Sequence, residues 1–239
     1  MISICMATFN GEKYIRQQID SILNQLCATD EIVISDDASF DNTLDILNSY
    51  NDPRIKIYKN EQKLGVIRNF ENALAKASND YIFLADQDDI WEHNKIAECL
   101  TCLKTNSLVV TDCSFIDGNG RILISTYLNG RTPPKYFFSI LLKNYYIGSC
   151  MAFRKEVLGL ALPFPANIPM HDWWIALVTS LHLKIGFIDQ PLVRHRVHQH
   201  NASSTGNNSL YSFTAKIMMR LKLTVLILQM KIKASSCTR

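Results

Sequence analysis

Tyr81-Ile82-Phe83-Leu84-Ala85-Asp86-Gln87-Asp88-Asp89 decides how the rest of the chain is read. Its first five residues are uncharged and run apolar without alternation. That is the pattern of a strand covered on both faces, and such strands belong to parallel sheets. Three carboxylates then fall within four positions at the carboxyl end of that strand. They repel one another unless a cation neutralises them, and oxygen-only ligation suits Mg2+ or Mn2+. An acidic turn exposed to water has the same composition, so both readings stand at this point.

Outward from this strand, short apolar runs alternate with helical periods. Ile2–Ala7 is strand-like, and Glu12–Leu26 carries apolar residues at 15, 19, 22, 23 and 26, a helical spacing. Glu31–Ser35 is a second strand followed by a helix over Asp41–Tyr50. Arg54–Tyr58 is a third strand, followed by a helix over Val66–Ala77. A helix over Glu92–Lys104 follows the buried strand. Strand–helix alternation with short connections implies an α/β, doubly wound, mainly parallel sheet. Ligands of such sheets sit outside the carboxyl ends of the strands. The loops at Thr8–Gly11, Asp36–Phe40 and Asp86–Ile90 therefore line one crevice. Further on, Ser107–Ile116, Tyr145–Phe153 and Lys184–Ile188 read as strands, Asp172–Leu183 as a helix and 199–209 as a polar linker. The expected division is a domain over 1–204 and a helical tail over 205–239.

Two further constellations carry chemistry. In His171-Asp172-Trp173-Trp174 one carboxylate is flanked by aromatics, which desolvate it and raise its basicity, and indole faces suit stacking on sugars. An N-cap aspartate followed by two core tryptophans fits the same letters. Arg194-His195-Arg196-Val197-His198-Gln199-His200-Asn201 holds half of the six histidines and reads as phosphate contacts, a metal ligand or a solvated basic loop. G-x-G-x-x-G and G-x-x-x-x-G-K-[ST] are both missing, which argues against a dinucleotide oxidoreductase and a P-loop NTPase. A sugar nucleotidyltransferase would want a glycine-rich N-terminal loop with Arg and Lys, which Thr8-Phe9-Asn10-Gly11 does not supply.

Ile4–Gly11, Ile32–Thr43 with Asp36-Asp37, Phe83–Trp91, Gly148–Phe153, His171–Trp174 and Arg196–Asn201, in this order, resemble family-2 inverting glycosyltransferases of the GT-A fold. The D-Q-D-D-x-W and H-D-W-W forms look like the bacterial branch that builds surface polysaccharides, often rhamnosyltransferases. The resemblance implies a nucleotide-diphosphate sugar donor, dTDP-rhamnose or a UDP-sugar. Thr8 and Asn10 would lie in the first nucleotide loop and Asp37 on the uracil or thymine base. Asp86, Gln87 and Arg196 would lie along the donor, with Mn2+ or Mg2+ on Asp88 and His198. Asp172 matches the general base, with His171 where the family usually has an acidic residue, and Trp91, Trp173 and Trp174 are candidates for sugar or acceptor stacking. A catalytically inactive nucleotide-sugar binder is the competing class.

The 239 residues are 47% hydrophobic and 20% charged, enough for a sizeable core, with a net charge of +3. That charge is unevenly spread. Residues 1–189 hold all 22 acidic groups and 17 of the 25 basic ones; 190–239 hold the other 8 bases and no acid. An acidic body excludes a uniformly basic nucleic-acid binder. Seven scattered cysteines, an odd number, point to a reducing compartment, and the single C-x-x-C at Cys99 and Cys102 has no second pair to make a zinc site. Met1-Ile2-Ser3-Ile4 leads straight into a strand rather than a secretory leader, and no segment reaches the roughly 20 apolar residues of a bilayer span. The expected location is the cytoplasm, at the inner face of the cell membrane. In the tail, apolar residues at 210, 213, 217, 221, 225, 228 and 232 form one helical stripe flanked by lysines and arginine. The stripe suits either a bilayer interface, where a lipid-linked glycan acceptor would reside, or docking on the body or on a dimer partner.

Overall fold

The computed structural model describes residues 1–198 and 212–236, with the side chains of 213 and 230–236 left out of the description. The domain limit at 204, the linker, His200 and Asn201 fall outside the described residues. Chain order is β1 (Ile2–Thr8), α1 (Ile15–Leu23), β2 (Glu31–Asp36), α2 (Thr43–Asn48), β3 (Ile55–Lys59), α3 (Val66–Ala75), β4 (Tyr81–Asp86), β5 (Ile90–Trp91) and α4 (Lys95–Leu103). The second half contains β6 (Leu108–Ile116), β7 (Ile122–Ile124), α5 (Phe137–Leu142), β8 (Met151–Arg154), α6 (Glu156–Ala161), α7 (His171–His182), β9 (Ile185–Arg196) and α8 (Phe213–Ser236).

The strands form one sheet in the order β3-β2-β1-β4-β8-β6-β9-β5, with β7 paired to β6. The first four are all parallel. Thr8 lies opposite Asp36 and Ala7 opposite Asp86, so three strands end level and their loops share one edge. Helical spacing explains which faces are covered: α1 buries Ile15, Gln18, Ile19 and Ile22, and α3 buries Asn69, Phe70, Ala73 and Leu74. Cys99 is buried on α4, and the six described cysteines are free thiols.

The second half departs from the expected pattern. Of Tyr145–Phe153 only residues from Met151 on are strand, as part of β8, which runs antiparallel between β4 and β6; Gly148–Cys150 is a 3-10 turn. The last strand does not stop at Ile188 but continues to Arg196, parallel to β6 through register shifts around Asp112. Residues 194–196 are thus strand rather than solvated loop. Hydrophobic pattern missed this because Asp189, Gln190 and Pro191 interrupt it. In α7 every residue from His171 to Thr179 is buried, so the helix runs inside the body.

Of the expectations for the tail, docking on the body is the one the described residues display. Leu223 and Ile227 of α8 are buried in the core cluster with Met219 and Leu226 packed against it, while Ile217, Leu221, Val225 and Leu228 of the apolar stripe are exposed. No described helix is long and apolar enough to cross a membrane.

Candidate active site

The level ends of β1, β2 and β4 open into a cavity of about 1000 Å3. Its first wall is built by a buried carboxylate. Asp36 accepts hydrogen bonds from the Thr8 hydroxyl at 2.9 Å, the Ser39 amide at 2.8 Å and the Ser39 hydroxyl at 2.6 Å. The Ser39 oxygen in turn accepts from the Asn10 amide at 2.9 Å, and Asn10 and Ala38 take left-handed φ values of 48° and 60°. Thr8 and Asn10 therefore line the cavity while fastening the β1 loop to the β2 loop.

Gln87 holds the same loop from the other side. Its amide accepts from the Phe9 N–H at 2.9 Å and donates to the Phe9 carbonyl at 3.0 Å, closing a two-bond ring. Gly11 is required by this arrangement, since a Cβ there would overlap the Gln87 amide.

Asp37 lines the cavity beside Phe9, Phe40 and Lys63. Its carboxylate accepts from the Leu64 and Gly65 amides at 2.7 and 2.9 Å and from the Asn60 amide at 3.2 Å. Three of about four lone-pair positions are thus taken by the chain itself. The Phe9 and Phe40 rings meet edge to face at 6.0 Å, and the Lys63 ammonium sits 3.6 Å from the Phe9 centroid. This aromatic corner was not singled out from sequence; an aromatic next to the first loop was visible, but not its approach to Asp37.

The acidic turn separates into three roles. Asp86 is pushed well above the usual carboxylate range, first by burial and then by the charges of Asp89 and Asp88. Asp89 is fully buried, lies 3.0 Å from His195 Nδ1 and accepts the Arg196 amide at 3.0 Å. Burial opposes charge on His195, but Asp89 outweighs it and holds the imidazole protonated. Asp88 Oδ2 lies 2.8 Å from His198 Nε2, and the His198 ring stacks on Tyr14 at 5.3 Å.

Arg196 was expected along the donor. The structure instead buries it: its guanidinium donates to the carbonyls of Asp88, Asp117 and Gly118 and to Gln17, and lies 4.5 Å from the Tyr14 ring centroid. It does not line the cavity; it props the acidic turn from behind.

The three tryptophans are also not brought to the cavity. Trp91 is packed against Phe83 with the Lys95 ammonium 3.7 Å from its ring. Trp173 and Trp174 donate their indole N–H to the carbonyls of Ile140 and Ala161 at 2.9 and 3.0 Å. All three are at most 8% exposed, so stacking on a sugar is replaced by core packing. For Trp173 and Trp174 the reason is that residues 171–179 of α7 are buried all round, and Trp91 is enclosed on β5 between Phe83 and Lys95.

Asp172 does reach the cavity, in the first turn of α7. Its Oδ1 accepts the Trp173 amide at 2.5 Å, and burial pushes its pKa up to about 6. Beside it His171 stacks on Phe70 at 4.1 Å and is held neutral by burial, its pKa lowered to about 3. Gly148 makes this possible, because a Cβ there would lie 3.0 Å from His171 Nε2.

The donor set fits a divalent cation. Adjacent ligands at about 2.1 Å from one octahedral ion lie about 3 Å apart, close to the Asp88–His198 separation. Ligand atoms of Asp86, Asp89 and His195 also lie within 4.8 Å of one another, but an imidazole held protonated by Asp89 has no lone pair to give an ion.

A curled α/β sheet with a nucleotide-sized cavity at its carboxyl edge and a carboxylate cluster beneath it defines a sugar-nucleotide transferase of the GT-A fold. The chain belongs to Glycosyl transferase family 2, whose model matches residues 3–159. It is 30% identical over 211 residues to UDP-Glc:alpha-D-GlcNAc-diphosphoundecaprenol beta-1,3-glucosyltransferase WfgD of Escherichia coli, covering 85% of this chain and 80% of that one. It is 31% identical over 228 residues to dTDP-rhamnosyl transferase RfbG of Shigella flexneri, covering 88% and 76%. S. aureus TarS 1-349 in complex with UDP-GlcNAc superposes with a TM-score of 0.69 at 19% identity, over 93% of this chain and 66% of that one. Mannosyltransferase PcManGT from Pyrobaculum calidifontis, in complex with GDP-Man and Mn2+, does so with 0.62 at 17% identity, over 84% and 58%. The chain thus spans less than two thirds of these solved chains.

Proposed function

We propose that this glycosyltransferase moves a sugar from a nucleoside diphosphate, dTDP-rhamnose or a UDP-sugar, onto a hydroxyl of a lipid-linked glycan with inversion at the anomeric carbon. The observation that carries the reading is one cavity lined at once by Phe9 and Asp37, by Asp88 and His198, and by Asp172. The names of the two bacterial relatives support both donor classes, and that of WfgD supports a diphosphoundecaprenol acceptor.

In this reading the pyrimidine lies against Phe9 and Phe40, and Asp37 keeps the loop at 60–65 closed around it. Asp88 and His198 would hold Mn2+ or Mg2+ at the diphosphate, with Asp86 beside them. The chemistry supplied by a bound divalent ion is neutralisation of the charge that develops on the departing nucleoside diphosphate. Asp172 takes the proton of the attacking acceptor hydroxyl on its carboxylate, which the Trp173 amide orients through Oδ1. Its raised pKa brings it closer to neutrality than an ordinary carboxylate, which strengthens it as a base. The neighbouring neutral His171 adds no positive charge that would weaken that basicity. Attack from the face away from the diphosphate inverts the carbon in one displacement.

A panel of dTDP- and UDP-sugars, assayed with lipid-linked acceptors and followed by anomeric analysis of the product, tests the proposal. Expected is cation-dependent transfer with the anomeric configuration reversed. Donor binding with neither transfer nor slow nucleotide release would instead favour an inactive nucleotide-sugar binder.

A further inference from the structure

Of the large apolar side chains left exposed, those on α5 and α8 belong to two helices packed against each other. On α8, Met218, Leu221, Val225 and Leu228 are 66%, 57%, 50% and 55% exposed, at spacings of 3, 4 and 3 that place them on one face. On α5, Phe138 and Leu142 are 75% and 65% exposed. The helices are joined at the Leu142 carbonyl, which accepts the Arg220 guanidinium at 2.6 Å. Leu223 and Ile227, buried beneath, hold α8 down by its other side.

The two segments that build this face carry bases and no acid. Residues 118–155, which include α5, contain no acidic residue, and neither do 190–239, which include α8. Lys135 and Lys143 beside α5 and Lys222 on α8 are exposed. Apolar side chains ringed by bases on a docked helix match the interface of an anionic bilayer, where the rings and aliphatic groups enter the acyl boundary and the lysine stems reach headgroup phosphates. A second copy of the chain fits less well, because a symmetric contact would bring the two basic rims together.

We propose that the joint face of α5 and α8 docks this protein onto a bilayer containing anionic lipids. The face is mechanically tied to the cavity. Trp173, next to Asp172, donates its indole N–H to Ile140 of α5, and Leu142 of the same helix is held by Arg220 of α8. Asp172 is therefore carried by a helix that packs on the docking layer, a placement suited to an acceptor presented from a membrane.

Flotation of the full chain with vesicles of phosphatidylcholine alone, and with phosphatidylglycerol added, tests this without turnover, so failure here is distinguishable from failure of the transfer reaction. Expected is recovery with the anionic vesicles and little with the neutral ones. Leu221→Glu with Val225→Glu, both exposed and so tolerated by the fold, lowers recovery at least about tenfold. Lys143→Glu with Lys222→Glu lowers it on anionic vesicles only. Circular dichroism and nucleotide release stay as in the parent. Equal recovery of parent and Leu221→Glu/Val225→Glu chains overturns the proposal, as does a concentration-dependent dimer, broken by the same pair, without vesicle binding.

Discussion

Asp88 Oδ2 and His198 Nε2 stand 2.8 Å apart although 110 positions separate them in the chain. The contact exists because β9 continues past Ile188, pairs with β5, and returns His195, Arg196 and then His198 to the acidic turn. If this pair holds a cation, His198→Ala raises the Mn2+ dissociation constant by about tenfold or more while leaving the fold intact. Calorimetric titration of both proteins measures this, and unchanged affinity removes His198 as a ligand.

Asp172 should act only when ionised. With its pKa raised by burial to about 6, the transfer rate climbs as pH rises through about 6 and levels off above it. Asp172→Asn lowers kcat by about 10^2 to 10^4 with the donor dissociation constant unchanged. The same shift has a stability consequence: a carboxyl whose folded pKa lies above its unfolded value of 3.8 costs stability as pH rises through that window. The Asn variant is free of this cost, so its Tm relative to the parent increases from pH 4 towards pH 7. A flat difference would contradict the burial account.

In the proposed reading Phe9 stacks on the nucleobase; the Lys63 ammonium lies over its ring and Gln87 clamps its backbone. Loss of an aromatic platform typically costs about 1–3 kcal/mol per base, so Phe9→Ala weakens UDP or dTDP binding by roughly five- to a hundredfold. Fluorescence or calorimetric titration reads this. Gly11→Ala, which displaces the Gln87 amide, weakens binding in the same direction through the loop rather than the ring.

Glu31 tests the scaffold. Burial disfavours its charge, but hydrogen bonds from Lys56, Ser3 and Ser78 outweigh that and hold its pKa down at about 2. A lowered folded pKa contributes stability that is present above the usual carboxylate range and lost as pH falls towards 2. Glu31→Gln therefore destabilises by about 1–3 kcal/mol at pH 7. The gap closes as the buffer is acidified, as urea melts across that range would show.

The parallel half of the sheet was legible because its signals are local. Strands Ile2–Thr8, Glu31–Asp36 and Tyr81–Asp86 each carry a run of consecutive apolar residues, and the helices between them carry a 3.6-residue period. The cavity-lining Thr8, Asn10, Asp37, Asp86, Gln87 and Asp88 were legible too, since they lie at strand ends, and Asp172 since it opens a helix; His198 came only from the family resemblance, because the local pattern ends the strand leading to it at Ile188. Helices α5 and α6 went unread because, as short as α2 at six residues each, they lie outside the regular strand–helix alternation that marked α2.

Side-chain direction was another matter. Trp91, Trp173 and Trp174 have the composition of a sugar platform, yet each points into the core, and Arg196 is spent on carbonyls behind Asp88. An amphipathic stripe in α8 could face a bilayer or the body; burial of Leu223 and Ile227 settled that the helix docks by one side and leaves its stripe outside.

Composition, periodicity and strand-end chemistry are properties of neighbours in the chain, and they were enough for the α/β class, the binding edge and the identity of the acidic turn. The Asp88–His198 and Asp89–His195 pairs span more than a hundred positions. They depend on the register of β9 against β5 and β6, which no local pattern encodes. A one-residue slip in that register would turn His195 and Arg196 to opposite faces of the sheet.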